Sequence, residues 1–166
     1  MFKFTIVTIN KRPDLLTGVK EVTRTTWPQF MLHDSIGNLY WSDLYQTFPQ
    51  FQFACIDGNT ERVIAVGNSL PLAWESEFQN LPDDGWDWAL AQGFKDHASD
   101  QTAKVLCALS VAIANPFRGK GISGQMVATM QSIAKANGLA SVIAPVRPSL
   151  KSRYPLSYGA LHPMAR

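Results

Sequence analysis

After Asp100 the sequence contains no acidic residue. Residues 1–100 hold all 13 Asp and Glu against 7 Lys and Arg, whereas residues 101–166 hold 8 Lys and Arg and no acid. The imbalance predicts that the C-terminal part meets an anion, either a phosphorylated small molecule or nucleic acid, with a solvated basic face as the alternative. Cysteine is scarce too. Cys55 and Cys107 sit in apolar, strand-like runs (FQFACID and VLCALSV) without CxxC or Cys/His spacing, which argues against a disulfide framework or a zinc cluster and predicts buried, reduced thiols. No metal is expected. The longest apolar stretch, Val105 to Ala114, falls far short of the roughly twenty residues of a membrane span, and MFKFTIVTINKRPD lacks a signal peptide's apolar core and cleavage site. The expected setting is cytoplasmic, with no membrane partner. No linker or internal repeat divides the chain, so a single domain over residues 1–166 is expected.

The remaining pattern alternates strand and helix. FKFTIVTI reads as a strand, and Pro13 followed by Leu15, Leu16, Val19 and Val22 reads as one helix face that Trp27-Pro28 ends. NLYWSDLYQTF is a second short helical or turn-rich piece stopped by Pro49. FQFACI and RVIAVGNSLPLAW flank DGNTE as a hairpin, with Pro71 marking an irregular or edge position late in the second strand. LPDDGWDWALAQGFKDH is a loop leading into a helix. KVLCALSVAIA is apolar on both faces, as a covered central strand is. Ile122, Met126, Val127, Met130, Ile133 and Ala134 then repeat at helical spacing up to Asn137-Gly138, and LASVIAPV is a short strand parallel to the one before. The tail from residue 147 to 166, broken by three prolines and a glycine, is atypical of regular structure.

The loop RGKGISG, residues 118–124, joins the central strand to that helix. A glycine-rich turn into a helix gathers free backbone N–H groups and the positive end of the helix dipole, which suits phosphate. Glycine keeps side chains away from the anion and supplies positive φ, while Arg118 and Lys120 add charge at the rim. A ligand-free glycine turn is the plain alternative. The loop lacks the GxxxxGK[ST] of a P-loop. A Rossmann fingerprint belongs in the first βα turn, with an acid about twenty residues on, and no acid follows here; Arg147 keeps an NADP reading open.

AIANPFRGKGIS, with the residues around it from Lys104 to Arg147, resembles motif A of the GNAT superfamily of acyl-CoA-dependent acetyltransferases. The signature [QR]xxGx[GA] is met by Arg118-Gly119-Lys120-Gly121-Ile122-Ser123, with Ser123 in place of the usual Gly or Ala. The resemblance implies an α/β fold with a GNAT-like mixed central sheet flanked by helices, incomplete after the strand ending near residue 146. It implies that acetyl-CoA is the acyl donor, that the backbone of Val111, Ala112 and Ile113 pairs with its pantetheine arm, and that the amides of Arg118, Gly119, Lys120, Gly121, Ile122, Ser123 and Gly124 hold its pyrophosphate. The implied activity is N-acetyl transfer to an amine of a small molecule or peptide by direct attack. A non-catalytic acyl-CoA-binding or interaction domain is the alternative.

In such enzymes a Tyr commonly protonates the leaving thiolate, and the spacing from the motif lands near Tyr154 and Tyr158, Tyr158 the closer, although the family's N..A...Y..GF pattern is absent. Glu75, after SLPLAW, is the candidate base and His33 a second. Trp27, Phe30, Tyr40 and Trp41 are candidates for the acceptor side, or core residues. The family's last helix and strands exceed what the tail can supply. A second copy of the chain completing the sheet is therefore one expectation, a truncated tail another. Nucleic acid is not expected as a partner, because the basic half lacks a helix-turn-helix or an aromatic-basic interleave.

Overall fold

The alternating runs fold as strands and the helical spacings as helices in a computed structural model that describes residues 2–75 and 80–145. The order is β1 (Phe4–Thr8), α1 (Leu16–Thr26), α2 (Gln29–Leu32), α3 (Ser35–Tyr40), α4 (Leu44–Thr47), β2 (Gln52–Asp57), β3 (Val63–Leu72), α5 (Gly85–Ala98), β4 (Val105–Ile113), α6 (Ile122–Ala136) and β5 (Ser141–Ile143). The strands build one sheet in the order β1-β2-β3-β4-β5, antiparallel from β1 to β4 and parallel between β4 and β5. This is the expected mixed sheet with its flanking helices. The end expected near residue 146 and the tail beyond it lie outside the described residues.

Local chemistry sets the element ends. Pro13 opens a 3-10 turn that leads into α1, and α1 stops where Trp27 goes extended (φ −73°, ψ 139°), the conformation that a following proline favours. The piece read as helical or turn-rich, NLYWSDLYQTF, holds two short helices, α3 and α4, with a turn at Trp41–Asp43 between them. Asp34 caps α3 by accepting the Gly37 N–H at 2.7 Å. The break leaves the Trp41 ring stacked on Trp86 at 5.7 Å and sends Leu44 into the core with no exposed surface.

Pro71 sits inside a central strand, where a missing N–H would ordinarily break the ladder. The reason lies in strand length. β2 pairs with β3 only as far as Asn68, while Leu72 faces β4, its carbonyl accepting the Lys104 N–H at 2.8 Å. By alternation Pro71 faces the side β2 has vacated, so no ladder bond is lost.

Both faces of the sheet are covered. Val19 and Val22 of α1 pack with Ala54, Ile56, Val66 and Ala112. Phe53 and Cys55 alternate with Ala54 and Ile56, and join the cluster that holds Ile122, Met126, Met130 and Ile133 of α6. The described residues include no helix long and apolar enough to cross a membrane.

Both thiols are buried as predicted. Burial pushes Cys107 up to about 12, and burial with the added charge of Asp57 pushes Cys55 up to about 11. The unfolded value is about 8.5, so this stabilisation is complete below that pH and is lost as pH rises through the folded values. A thiol reagent at about pH 8 is expected to label neither cysteine until denaturant is added. Thermal midpoints measured in an alkaline series are expected to fall above about pH 9.

Candidate functional site

The site begins with an edge of β4. Only Val105, Leu106 and Cys107 pair with β5, so among the described residues no strand covers that edge from Ala108 onward. On the other side β4 carries one extra residue: Ser69 opposes Ala108 and Asn68 opposes Ser110, leaving Leu109 as a bulge. The bulge reverses which residues face the open edge. Before it, the carbonyl of Lys104 accepts from Ala140 on the β5 side at 2.8 Å; after it, the Ala114 N–H donates to Ile64 on the β3 side at 2.9 Å. Alternation from Ala114 turns the backbone of Ala112 and Ser110 to β3 and that of Val111 and Ile113 to the open edge. Trp86 Nε1, at the start of α5, donates to the Leu109 carbonyl at 3.0 Å and so satisfies the oxygen that the bulge displaces.

The loop after β4 supplies the second part. A 3-10 turn at Asn115–Phe117 leads to Arg118, whose Nε donates to the Ile113 carbonyl at 3.2 Å and ties the loop to the end of the strand. Gly119 and Gly121 take φ of 74° and 76°, the left-handed region that favours glycine, and a Cβ on either would point into open space. Gly121 caps α6 with no side-chain hydrogen bond, leaving the amides of Ile122, Ser123 and Gly124 without an intrahelical acceptor at the positive end of the dipole. Ile122 itself is 1% exposed and anchors the helix start in the core. Lys120 Nζ lies 5.1 Å from the Phe2 ring centroid and 5.0 Å from that of Phe117, a cation–π clamp on the loop. Among the described residues neither Arg118 nor Lys120 pairs with a carboxylate.

Edge and loop meet in a cleft of about 450 Å³. Val111, Ala112, Ile113, Arg118, Gly119 and Ser123 line one side, and Thr26, Trp27 and Pro28 from the end of α1 line the other. Val111 is a large apolar side chain left 38% exposed. Trp27 is backed by Trp41 at 4.5 Å and Trp86 at 6.4 Å, so three indoles run from the cleft wall to the bulge.

Of the expected catalytic residues, Glu75 and His33 are among the described residues, and neither lines this cleft. Glu75 is ion-paired with Lys104 at 3.4 Å, both groups well exposed, at the end of β4 opposite the loop. His33 is exposed at the end of α2. Tyr40 stacks on Phe94 at 5.0 Å, and of Phe30 only the backbone, in α2, is described. Tyr154, Tyr158 and Arg147 lie outside the described residues. Those residues contain no group of three or more His, Cys, Asp or Glu placed to hold a metal ion.

Thr26, Pro28, Leu109 and Trp86 were not legible as site residues. Neither was a buried polar group on β3: Asn68 Nδ2 donates to the Tyr45 hydroxyl at 2.8 Å and to Gln52 Oε1 at 3.1 Å. Burial pushes the Tyr45 phenol up to about 12, so it is neutral at physiological pH. The available signal was Asn68 itself, a polar residue inside VIAVGNSLPL.

No family model matches the chain. Arginine N-acetyltransferase avaD of Aspergillus versicolor is 27% identical over 164 residues, and the alignment takes in 92% of this chain and 56% of that protein. The chain thus spans little more than half the length of this curated relative. The fold is similar to that of the loading GNATL domain of CurA from Lyngbya majuscula, with a TM-score of 0.63, 15% identity, and coverage of 86% of this chain and 64% of that one. It is also similar to AAC(6')-Iy solved with the bisubstrate analogue CoA-S-monomethyl-acetylneamine, with a TM-score of 0.57, 12% identity, and coverage of 99% of this chain and 96% of that one.

Proposed function

We infer that this chain, which has the GNAT fold, binds acetyl-CoA in the cleft between β4 and the glycine loop and transfers the acetyl group to an amine. The observation that carries the reading is the juxtaposition of an uncovered β4 edge with a glycine-capped helix start in one cleft. An extended polar arm can add to a strand edge by main-chain hydrogen bonds, and a pyrophosphate suits free amides at a helix N-terminus. Both needs are met within a few residues, and among the described residues the loop's cations have no competing carboxylate.

The fit narrows the residues. Val111 presents both its N–H and its carbonyl to the edge, and Ile113 presents its N–H, its carbonyl being held by Arg118. Ala112 contributes its side chain to the cleft but turns its backbone to β3. The amides from Gly119 to Gly124 hold phosphate oxygens, with the Arg118 guanidinium adding charge. When bound, acetyl-CoA supplies an activated thioester for direct attack by an amine. Trp27, across the cleft, forms the wall against which the acceptor lies. Tyr158, or Tyr154, is the proposed proton donor to the leaving group.

The similar curated protein is named an arginine N-acetyltransferase, so arginine heads the panel of acceptors to try, with aminoglycosides and peptide amines after it. The experiment is calorimetric titration of CoA followed by thiol release from acetyl-CoA across that panel. Binding with amine-dependent release is expected. Absence of CoA binding would refute the reading.

A further inference from the structure

Asn68, with no exposed surface in β3, is held in an orientation its partners dictate. Gln52 Nε2 donates to the carbonyls of Phe48 at 2.9 Å and Ser69 at 2.8 Å. Gln52 Oε1 is therefore the acceptor end of that amide, and it takes the Ser69 N–H at 3.3 Å and Asn68 Nδ2 at 3.1 Å. The second Asn68 Nδ2 hydrogen goes to the Tyr45 hydroxyl at 2.8 Å. Both donors being spent, Asn68 Oδ1 points away from Gln52, and it is buried without a hydrogen-bond partner among the described residues.

Ser110 stands opposite Asn68 on β4, beside the bulge, and its buried Oγ also has no partner among the described residues. Directly opposed residues on adjacent strands put their side chains on the same face. Two oxygens thus sit side by side, not bonded to one another, in a network whose other members are satisfied. Buried oxygens without donors are rare and require a specific explanation. Ala112, two residues further along the same face and about 7 Å away, lines the cleft. Trp27 and Tyr45 pack on the cluster that contains Ala112. The orphaned pair is therefore buried one side-chain step behind Ala112, on the face that Ala112 presents to the cleft.

We propose that Asn68 Oδ1 and Ser110 Oγ seat an ordered water that takes an N–H of the acceptor amine and so orients the nitrogen lone pair. The proposal rests on the acetyltransferase reading above. A water that donates to Asn68 Oδ1 and bonds Ser110 Oγ keeps a lone pair free for the amine N–H. With the Ser110 hydroxyl donating to the water, the amine brings the N–H donor that the water's remaining lone pair accepts. Asn68 and Ser110 are positioning residues, acting on the amine through the water. Gln52, by fixing the Asn68 amide, keeps the oxygen pointing at the site.

Ser110→Ala isolates the claim, because the oxygen it removes has no protein partner to lose. Its thermal midpoint is expected to stay within about 2 °C of wild type and its CoA affinity within about twofold. With the amine that wild type acetylates, kcat/KM is expected to fall about tenfold, mostly through KM, and Ser110→Thr to restore most of it by returning the hydroxyl. A crystal structure of the CoA complex at atomic resolution is expected to show one water bonded to both oxygens, missing in Ser110→Ala. Unchanged acceptor kinetics in Ser110→Ala, or no such water, overturns the proposal and leaves the acetyltransferase reading standing. Failure of wild type to acetylate any amine while still binding CoA overturns both.

Discussion

Gly121→Asp is expected to weaken CoA binding by about a hundredfold or more while the protein remains folded. At φ of 76° any L side chain is strained, at a cost of roughly 1–2 kcal/mol. Aspartate tolerates the left-handed region better than most residues, and the open space beyond the Cβ position means it meets no neighbour. A carboxylate at the start of α6 would place a negative charge beside the first-turn amides proposed for pyrophosphate. Helix start and fold survive, and the anion site is lost. Calorimetric titration of CoA into both proteins, with thermal melts alongside, reads the two effects separately. Gly121→Asn, equally strained but uncharged, is expected to fall between the two. Equal affinity in wild type and Gly121→Asp would place the pyrophosphate elsewhere.

Gly67→Val is expected to destabilise the fold severely. A Cβ at Gly67 would lie 2.1 Å from Phe53 Cζ and 2.5 Å from Cε1 and Cε2, a contact no side chain can make. Phe53 has no exposed surface and is locked in the core, and Gly67 is held between β2 and β4, opposite Phe53 and Val111. Neither ring nor backbone has room to yield, so the overpacking cost is roughly 3 kcal/mol or more, a large share of a total stability of about 5–15 kcal/mol. Far-ultraviolet circular dichroism and yield of folded protein measure the result. Gly67→Val combined with Phe53→Ala, which opens space where the ring lies, is expected to recover part of the fold. A Gly67→Val protein that melts like wild type would show that the ring is not where the structure has it.

The legibility of the chain followed the range of the interactions involved. α6 and its glycine loop were readable because apolar spacing, a glycine turn and a helix stop are all local, and Ile122, Met126, Met130 and Ile133 are buried as their period requires. The hairpin and the parallel β4–β5 pair were readable for the same reason. The break at Trp41–Asp43 was not, because it depends on a tryptophan stack with a residue some forty-five positions away. Pro71 looked like an edge signal, and its tolerance in a central strand comes from where β2 stops pairing, which no local pattern encodes.

At the candidate site the same division holds. The loop residues stood out as a motif, and six of the ten expected cofactor contacts line one cleft. The opposing wall of Thr26, Trp27 and Pro28 is brought there by the packing of α1, and of these three only Trp27 was a candidate beforehand. A bulge leaves no mark in VLCALSVAI, yet it decides that Val111 rather than Ala112 offers its backbone to the edge. Glu75 was a candidate base from its position after a strand. The antiparallel β3–β4 pairing carries it to the end of β4 away from the loop, beside Lys104. Asn68 was visible as a polar residue in an apolar strand, but its orphaned oxygen appears only once Gln52, Tyr45 and Ser110 are in place.

The central claim, a cleft that binds acetyl-CoA and hands its acetyl group to an amine, is tested most directly by thiol release from acetyl-CoA in the presence of single amines, arginine first. Release that depends on both protein and amine, and that is lost in Gly121→Asp, is expected. Tight binding of CoA with no amine able to accelerate release, across amino acids, aminoglycosides and peptide amines, would contradict it.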